Sequence, residues 1–511
     1  MRVFFFITLF VLSAGAFAQR PADSLYLNPI ALRQFGYQTG NLAGLASFKD
    51  SSTAAIEVGY GLTRGSFRKA QQPFMDQQAR LGIEGINTFK RFRTWGRIKL
   101  TRNYQDSLAW SAKGTEDVEQ PYYYGSIKPG PFQRTAYSLS GMLLYALVPG
   151  KLNIGSGIDY DFKTSTRSVD PRPEVNAFSL KLRPQVTYQH ASHTWYAGGI
   201  WGYGDEQNIL TFKSIQYRLS PAFPDRINYL IQGYGLIAIR QGNQEFHRRV
   251  RVYGGEAGYV YAGNRLEIMS SVRYEKRGET NMIRLERSTA TADIGRFNTA
   301  RLDVQGLFTY HNDKSTQQLE LTASNTAASD FNVTKGGTNY YYDQTSAAAA
   351  YTLRFDKGAT SFKPDFGISL AYSTTAHEDI ISAHQVSFTR FEPGIRAGFL
   401  NRFSSGDQVR VDAGGRFSWS SDNRLSVPAS QETVFSRGVI YPDFAYNTSE
   451  FAALDFNLSL VTARLVPGLR TGLAWSGTYL TKWKQLKHVA GAMTNPGSDR
   501  FFSNISINLY F

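Results

Sequence analysis

The 511-residue sequence predicts an all-β fold, a single transmembrane antiparallel β-barrel of about 20 strands, with 16 to 22 compatible. Three observations lead there. Apolar residues recur at every second position in many long runs. The connections between those runs alternate between short and long, which implies short periplasmic turns and long extracellular loops. The chain also opens with an export signal.

The signal is residues 1–18. Arg2 supplies the positive start, Val3 to Val11 (VFFFITLFV) the apolar core, and Ala16-Phe17-Ala18 the small-x-small cleavage pattern. The apolar run is short for a membrane helix, which needs about 20 residues. No second run of that length follows, so the mature chain from Gln19 is expected to carry no transmembrane helix. Loss of Arg2 takes the formal charge from +15 to +14. Composition closes other routes. Tyr 30 and Phe 35 speak against disorder and for strands. The absence of cysteine rules out a disulfide framework, a thiolate metal site and a lipoprotein anchor.

Residues 19–50 do not alternate and read as an N-terminal periplasmic or lumen-resting segment; the barrel is expected over 51–511. The alternation is plain in Leu152, Ile154, Ile158, Tyr160 and Phe162, which oppose Asn153, Gly155, Asp159 and Asp161. It recurs around 178–188, 300–310, 409–419, 454–460 and 501–511, where Ser503 alone breaks the apolar face of the last run. Runs of about 10 to 14 residues suit a tilted membrane strand. Pro149-Gly150, Ala191-Ser192, Asn312-Asp313, Asp356-Lys357-Gly358, Ser404-Ser405-Gly406 and Pro467-Gly468 read as short turns. Residues 105–133, 163–174, 205–229, 420–452 and 483–497 read as long loops. Keeping the last strand descending makes Ala262-Gly263-Asn264 a tight turn on the outer side. The terminal Phe511 resembles the signal that outer-membrane barrels present to their assembly machinery.

Asn28-Pro29-Ile30-Ala31 resembles the hatch segment of the long-chain fatty-acid transporter superfamily. With the loop Pro121-Tyr122-Tyr123-Tyr124-Gly125 to Phe132 running into Arg134-Thr135-Ala136-Tyr137, the whole mature chain resembles an uncharacterised family of outer-membrane β-barrel proteins of Bacteroidota. That resemblance implies a Gram-negative outer-membrane location and transfers no activity.

Charges on the polar face cannot look into lipid, where Arg or Lys costs about 2–4 kcal/mol at the midplane. Arg97, Lys99, Asp159, Asp161, Lys181, Arg183, Arg301, Asp303, Arg410, Asp412, Arg416 and Asp455 are therefore expected to line the lumen, as a selectivity lining or as a structural ladder. Trp95, Trp195, Trp201, Trp419 and Trp475 are expected in the interfacial aromatic girdles. Tyr122, Tyr123, Tyr124 and Phe132 form a candidate loop cluster. His377, Glu378, Asp379 and His384 fall in an outer loop without the fixed spacing a metal site needs. No catalytic, cofactor-binding or metal residue is assigned, and an enzyme is not expected.

The reading is a passive or substrate-selective channel narrowed by loops 105–133 and 420–452. The alternative is a loop-plugged barrel acting as an accessory or surface-interaction component of an outer-membrane complex. Whether Tyr122–Phe132 folds into the lumen or projects outward separates them. Expected partners are outer-membrane lipid and lipopolysaccharide, met by Arg64, Arg68, Lys69, Lys482, Lys484 and Lys487, the barrel-assembly machinery through Phe511, and an outer-membrane protein; nucleic acid is not expected. About 30 residues before the first strand are too few for a TonB-dependent plug domain.

Overall fold

The computed structural model describes residues 23–48, 52–114, 119–219, 222–284, 290–356, 361–466, 469–484 and 489–511. The export signal, the Pro467-Gly468 turn, most of the turn after Asp356, Lys487 and His488 lie outside the described residues.

Three short helices come first: α1 (Asp23–Leu27), α2 (Pro29–Gly40) and α3 (Leu42–Ser47). Their boundaries follow from side-chain caps. Asn28 Oδ1 accepts from the Ile30 N–H at 3.1 Å ahead of Pro29, and Asn41 Oδ1 accepts from the Gly44 N–H at 2.7 Å. The strands follow as β1 (Ser52–Gly65), β2 (Met75–Phe89), β3 (Phe92–Leu108), β4 (Tyr122–Gly125), β5 (Gly130–Val148), β6 (Leu152–Arg167) and β7 (Arg172–His190). Next are β8 (His193–Thr211), β9 (Asn228–Gln232), β10 (Ile237–Arg240), β11 (Gln244–Ala262), β12 (Leu266–Arg284), β13 (Thr291–His311) and β14 (Ser315–Asn332). The last are β15 (Tyr340–Phe355), β16 (Phe362–Asp379), β17 (His384–Arg402), β18 (Gln408–Ser426), β19 (Glu450–Val466), β20 (Leu469–Lys484) and β21 (Asp499–Tyr510).

Eighteen of these strands form one antiparallel sheet that closes on itself through β1 and β21. At the seam the Phe511 N–H donates to the Ala54 carbonyl at 2.9 Å. Closure leaves no edge, the condition for strands to cross a membrane. The number lies inside the expected range and two below its central value. β9 and β10 add nothing to the wall: they are a short hairpin that joins β4 in a separate three-stranded sheet, and β8 pairs directly with β11. Ala262-Gly263-Asn264 is not on the outer side. This turn sits on the same end as Pro149-Gly150, Ala191-Ser192, Asn312-Asp313 and Ser404-Ser405-Gly406. Gly150 (φ +72°) and Gly406 (φ +85°) take left-handed conformations in two of those turns. The expected loop 163–174 shrinks to 168–171, because β6 and β7 extend to Arg167 and from Arg172. The strands reach 12 to 21 residues, longer than the apolar band alone requires.

The outward face is apolar at its middle. Ile395 is 71% exposed and Leu454 63%. Ser503 on that face receives the Trp475 indole N–H at 3.0 Å, which accounts for its break in the pattern. Trp195, Trp201, Trp419 and Trp475 also lie exposed on the outside. Trp95 does not: it points inward, buried against Phe35, Leu42 and Leu45 of the helices, with its indole N–H on Glu84 at 2.9 Å. Its inward neighbours Arg97 and Lys99 share its parity, a signal its aromatic ring obscured. No described helix is long and apolar enough to cross a membrane, which says nothing of strands.

Candidate functional site: a lumen filled at both ends

The helices α1–α3 lie inside the barrel at the short-turn end and touch the wall around its circumference. Phe35, Leu42, Leu45 and Phe48 pack on Ile86, Trp95, Met142 and Leu144. Ala43 and Tyr37 meet Tyr196, Val260, Met269 and Leu307, while Leu27 and Tyr26 meet Leu400, Val461 and Tyr510. Around these contacts runs a polar net. One Arg93 nitrogen, Nη1, donates to the carbonyls of Leu45 (2.8 Å), Ala46 (3.1 Å) and Phe48 (2.8 Å), gathering the orphan acceptors at the end of α3. Arg183 holds the Gly40 carbonyl at 2.9 Å and Gln185 accepts from the Leu42 N–H at 2.8 Å. Arg33 pairs with Glu320 at 3.0 Å, Gln318 holds the Ile30 carbonyl at 3.2 Å, and Gln34 bonds Glu267.

The long-loop end is filled differently. Loops from several hairpins fold inward, and the segment Tyr122–Gly125 becomes β4, paired with β9. The inward outcome for Tyr122–Phe132 is the one found. Strand alternation divides the tyrosines. Tyr123 enters an apolar core with Trp110, Ile231, Phe388, Phe435, Val439, Ile440 and Phe444, the last in the helix Tyr441–Asn447. Tyr122 and Tyr124 join Leu210, Leu230, Phe246 and Ile283 on the other side. The Tyr122 hydroxyl donates to Asp330 at 2.5 Å. Phe132 stands apart at the start of β5, with the Arg134 and Arg167 guanidinium groups 5.6 and 5.7 Å from its ring centre.

Other expected groups are spent on this lid. His377 is not in a loop; it points inward from β16, stacks on Tyr234 at 4.3 Å and meets the Tyr340 hydroxyl at 2.9 Å. Asp379 accepts the Tyr234 and Leu236 N–H groups, and the His384 ring lies 3.2 Å from the Tyr234 and Gln431 carbonyls. Arg68 donates to the Lys69 and Gln72 carbonyls, and the Ala70 N–H donates to Asp443 at 2.7 Å. Burial raises the Asp443 carboxyl above its ordinary range, against the pull of Lys69 and the Ala70 N–H. At Asp170 burial also raises the value, but the Ser214 and Lys213 N–H groups and Arg172 outweigh it and hold the carboxyl below its usual range. Among the described residues no group of three or more His, Asp or Glu side chains is arranged to hold a metal.

Between the two fillings the wall is charged. The register puts all twelve lumen candidates on the inward face, for example Asp159 opposite Lys181, Asp412 opposite Asn457 and Glu84 opposite Arg97. Most are paired. Arg183 meets Asp159 at 3.1 Å, Lys181 meets Glu275 at 2.6 Å, and Arg301 meets Asp303 at 2.9 Å. Arg410 bridges Asp365 at 2.9 Å and Asp412. Asp161 and Asp455 accept hydroxyls from Ser138 and Thr478. Several partners were not singled out from the sequence: Arg33, Arg93, Arg248, Glu256, Asp365 and Arg396. All but Arg33 share the inward parity of their strands, so the alternation that marked the twelve also marked them.

The fold and site thus define a closed 18-strand β-barrel whose lumen holds its own N-terminal helices and a lid of folded loops. Residues 42–511 match the family described as "Family of unknown function (DUF6850)", and the chain belongs to that family. A comparison with curated proteins finds no match. Among solved structures it is similar to the FrpB iron transporter from Neisseria meningitidis (9% identity, 91% of this chain and 82% of that one, TM-score 0.41). It is similar also to the copper transporter OprC (10%, 91% and 82%, TM-score 0.39) and to the TodX monoaromatic hydrocarbon channel (9%, 92% and 92%, TM-score 0.31). Likeness of that size assigns no activity.

Proposed function

We propose that the chain is an integral outer-membrane barrel that passes a solute only when its N-terminal helices leave the lumen and the loop lid parts at the other end. This is the substrate-selective form of the channel reading. The observation that carries it is the attachment of α1–α3: the segment joins the sheet at one end only, at β1, and lies against the wall through apolar contacts and polar bonds from Arg93, Arg183, Gln185, Arg33 and Gln318. An 18-strand wall encloses a lumen of porin width, so solute passage depends on what fills it. The export signal, the outward apolar band and the resemblance to Bacteroidota barrels support the outer membrane as its place. There Arg64 and Lys484 would meet lipopolysaccharide phosphates, and Phe511 the assembly machinery. No residue set supports an enzyme.

The membrane reading has its own test. Leu458→Arg, on the lipid face, is expected to cut assembly sharply, at about 2–4 kcal/mol, whereas Asn457→Arg on the lumen face assembles. Equal barrel yields would sink the register. For gating, the refolded mature chain and a form lacking residues 19–48 are compared in a planar bilayer. The full chain is expected to stay closed and the shortened one, with only the lid left in the lumen, to open intermittently. A shortened barrel that folds and never conducts would favour the second reading, a closed interaction protein, for which the apolar core of the lid is the supporting observation.

A further inference from the structure

We propose that the lumen holds a seat for a small zwitterion, a solute carrying a carboxylate and an ammonium group close together, between Arg416 and Asp455. The purpose of such a seat rests on the transport reading; its geometry does not. It is a cavity of about 240 Å³ lined by Arg33 of α2, Arg396 of β17, Asp412 and Arg416 of β18, and Asp455 and Asn457 of β19. The space exists because inward positions on successive strands carry no side chain. Gly367 lies opposite Arg396, Arg396 opposite Gly414, and Gly394 opposite Arg416.

The charges of the wall are mostly committed. Arg33 binds Glu320 at 3.0 Å. Arg396 binds Asp365 at 3.1 Å and Asp412 at 3.2 Å, and Asp412 also takes Arg410. Two groups are left. Among the described residues Arg416 has neither an ion pair nor a hydrogen bond, and it faces the lumen. Asp455 accepts one hydroxyl, from Thr478 at 2.6 Å, and has no cation. The two are offset by one pair along the same ladder, Arg416 opposite Ala453 and Asp455 opposite Gly414, so both side chains enter one cavity without meeting.

This arrangement selects by charge at both ends. A simple anion would satisfy Arg416 and face Asp455. A bare cation would satisfy Asp455 and face Arg33, Arg396 and Arg416. An ammonium carboxylate of amino-acid size answers both, each contact being a charge-assisted hydrogen bond. Arg33 belongs to the N-terminal helices, so the seat is complete only while they are in place, and a bound solute lies against the element that must move.

The test is equilibrium binding to the refolded full chain in detergent, read by saturation-transfer NMR and calorimetry, with L-alanine as probe beside acetate and methylammonium. Alanine is expected to bind and the single-charge probes to bind at least tenfold more weakly. Arg416→Gln and Asp455→Asn are each expected to weaken alanine about tenfold or more, with Lys276→Gln on the outer face unchanged. Asp455→Asn is isosteric and keeps an acceptor for Thr478, so it decides the matter if Arg416→Gln refolds poorly. No alanine binding, acetate binding as tight as alanine, or alanine binding unmoved by both substitutions would each overturn the seat. Conductance separates this from gating: alanine binding in a chain that never conducts without residues 19–48 removes the transport reading and leaves the seat.

Discussion

At the short-turn end, three capped helices meet the wall through three apolar clusters and a ring of side-chain to backbone bonds from Arg93, Arg183 and Gln318. At the long-loop end, eleven buried side chains, from Trp110 to Phe444, make a core of the kind found inside a globular domain, and each contributing loop is tied to strands on both sides. Both fill a lumen of the same width. They differ in what it takes to leave it. The helices join the sheet at one end only, through β1, whereas each lid loop is anchored at both of its ends. That makes the helices the filling that can leave as a unit and the lid the more firmly anchored one.

The sharpest way to break that comparison is to damage the lid. Ile231 is fully buried in its core, and Ile231→Ala is expected to destabilise the lid by about 2–5 kcal/mol. Amide exchange should rise across residues 228–232 and 436–447, with no rise in α2. Faster exchange in α2 as well would mean that the two fillings are one cooperative unit.

Next in size is Arg93→Ala. Losing one cation that serves three carbonyls is expected to cost about 1–3 kcal/mol. Because α3 alone depends on it, spontaneous openings in a bilayer should become several-fold more frequent, with the heat-modifiable barrel unchanged. Openings at the unaltered rate would place the restraint elsewhere in the net.

The smallest effect concerns pH at the lid's margin. Asp170 ties residues 168–171 to the Lys213 and Ser214 N–H groups. Its folded pKa is depressed, so its contribution is complete above the ordinary value of 3.8 and is lost as pH falls through the lower folded value. Exchange at Lys213 and Ser214, compared between the native chain and Asp170→Asn, should differ near neutrality and converge in strong acid. A difference that widened below pH 3.8 would reverse the sign.

How much of this the sequence carries depends on which surface a residue faces. The barrel was legible because lipid imposes one rule on every strand: Leu454, Phe456, Leu458 and Leu460 must be apolar, and their neighbours need not be. The same rule marked Arg410 and Asp412 as inward. The fillings follow no such period. Asn228 to Gln232 forms a strand that no lipid-facing alternation marks, because β4 and β9 bury both faces inside the mouth. Trp95 misled for a related reason: a lumen filled by Phe35 and Leu45 offers an aromatic side chain a buried site that an open pore would lack. The cap residues Asn28 and Asn41 were readable locally; that Arg93 would find the end of α3, 45 to 48 positions away, was not.

The claim that the helices leave while the wall stays is tested most directly by tethering them. The native chain has no cysteine, so Gln34→Cys with Glu267→Cys, facing residues of α2 and β12, can be joined by a short cleavable dithiol linker. Conductance is then followed in a planar bilayer as urea is raised to levels that leave the barrel heat-modifiable. The untethered chain is expected to open, the tethered chain to remain closed, and cleavage of the linker to restore opening. Equal openings with the tether intact would contradict the account, because the lumen would then open with the helices in place.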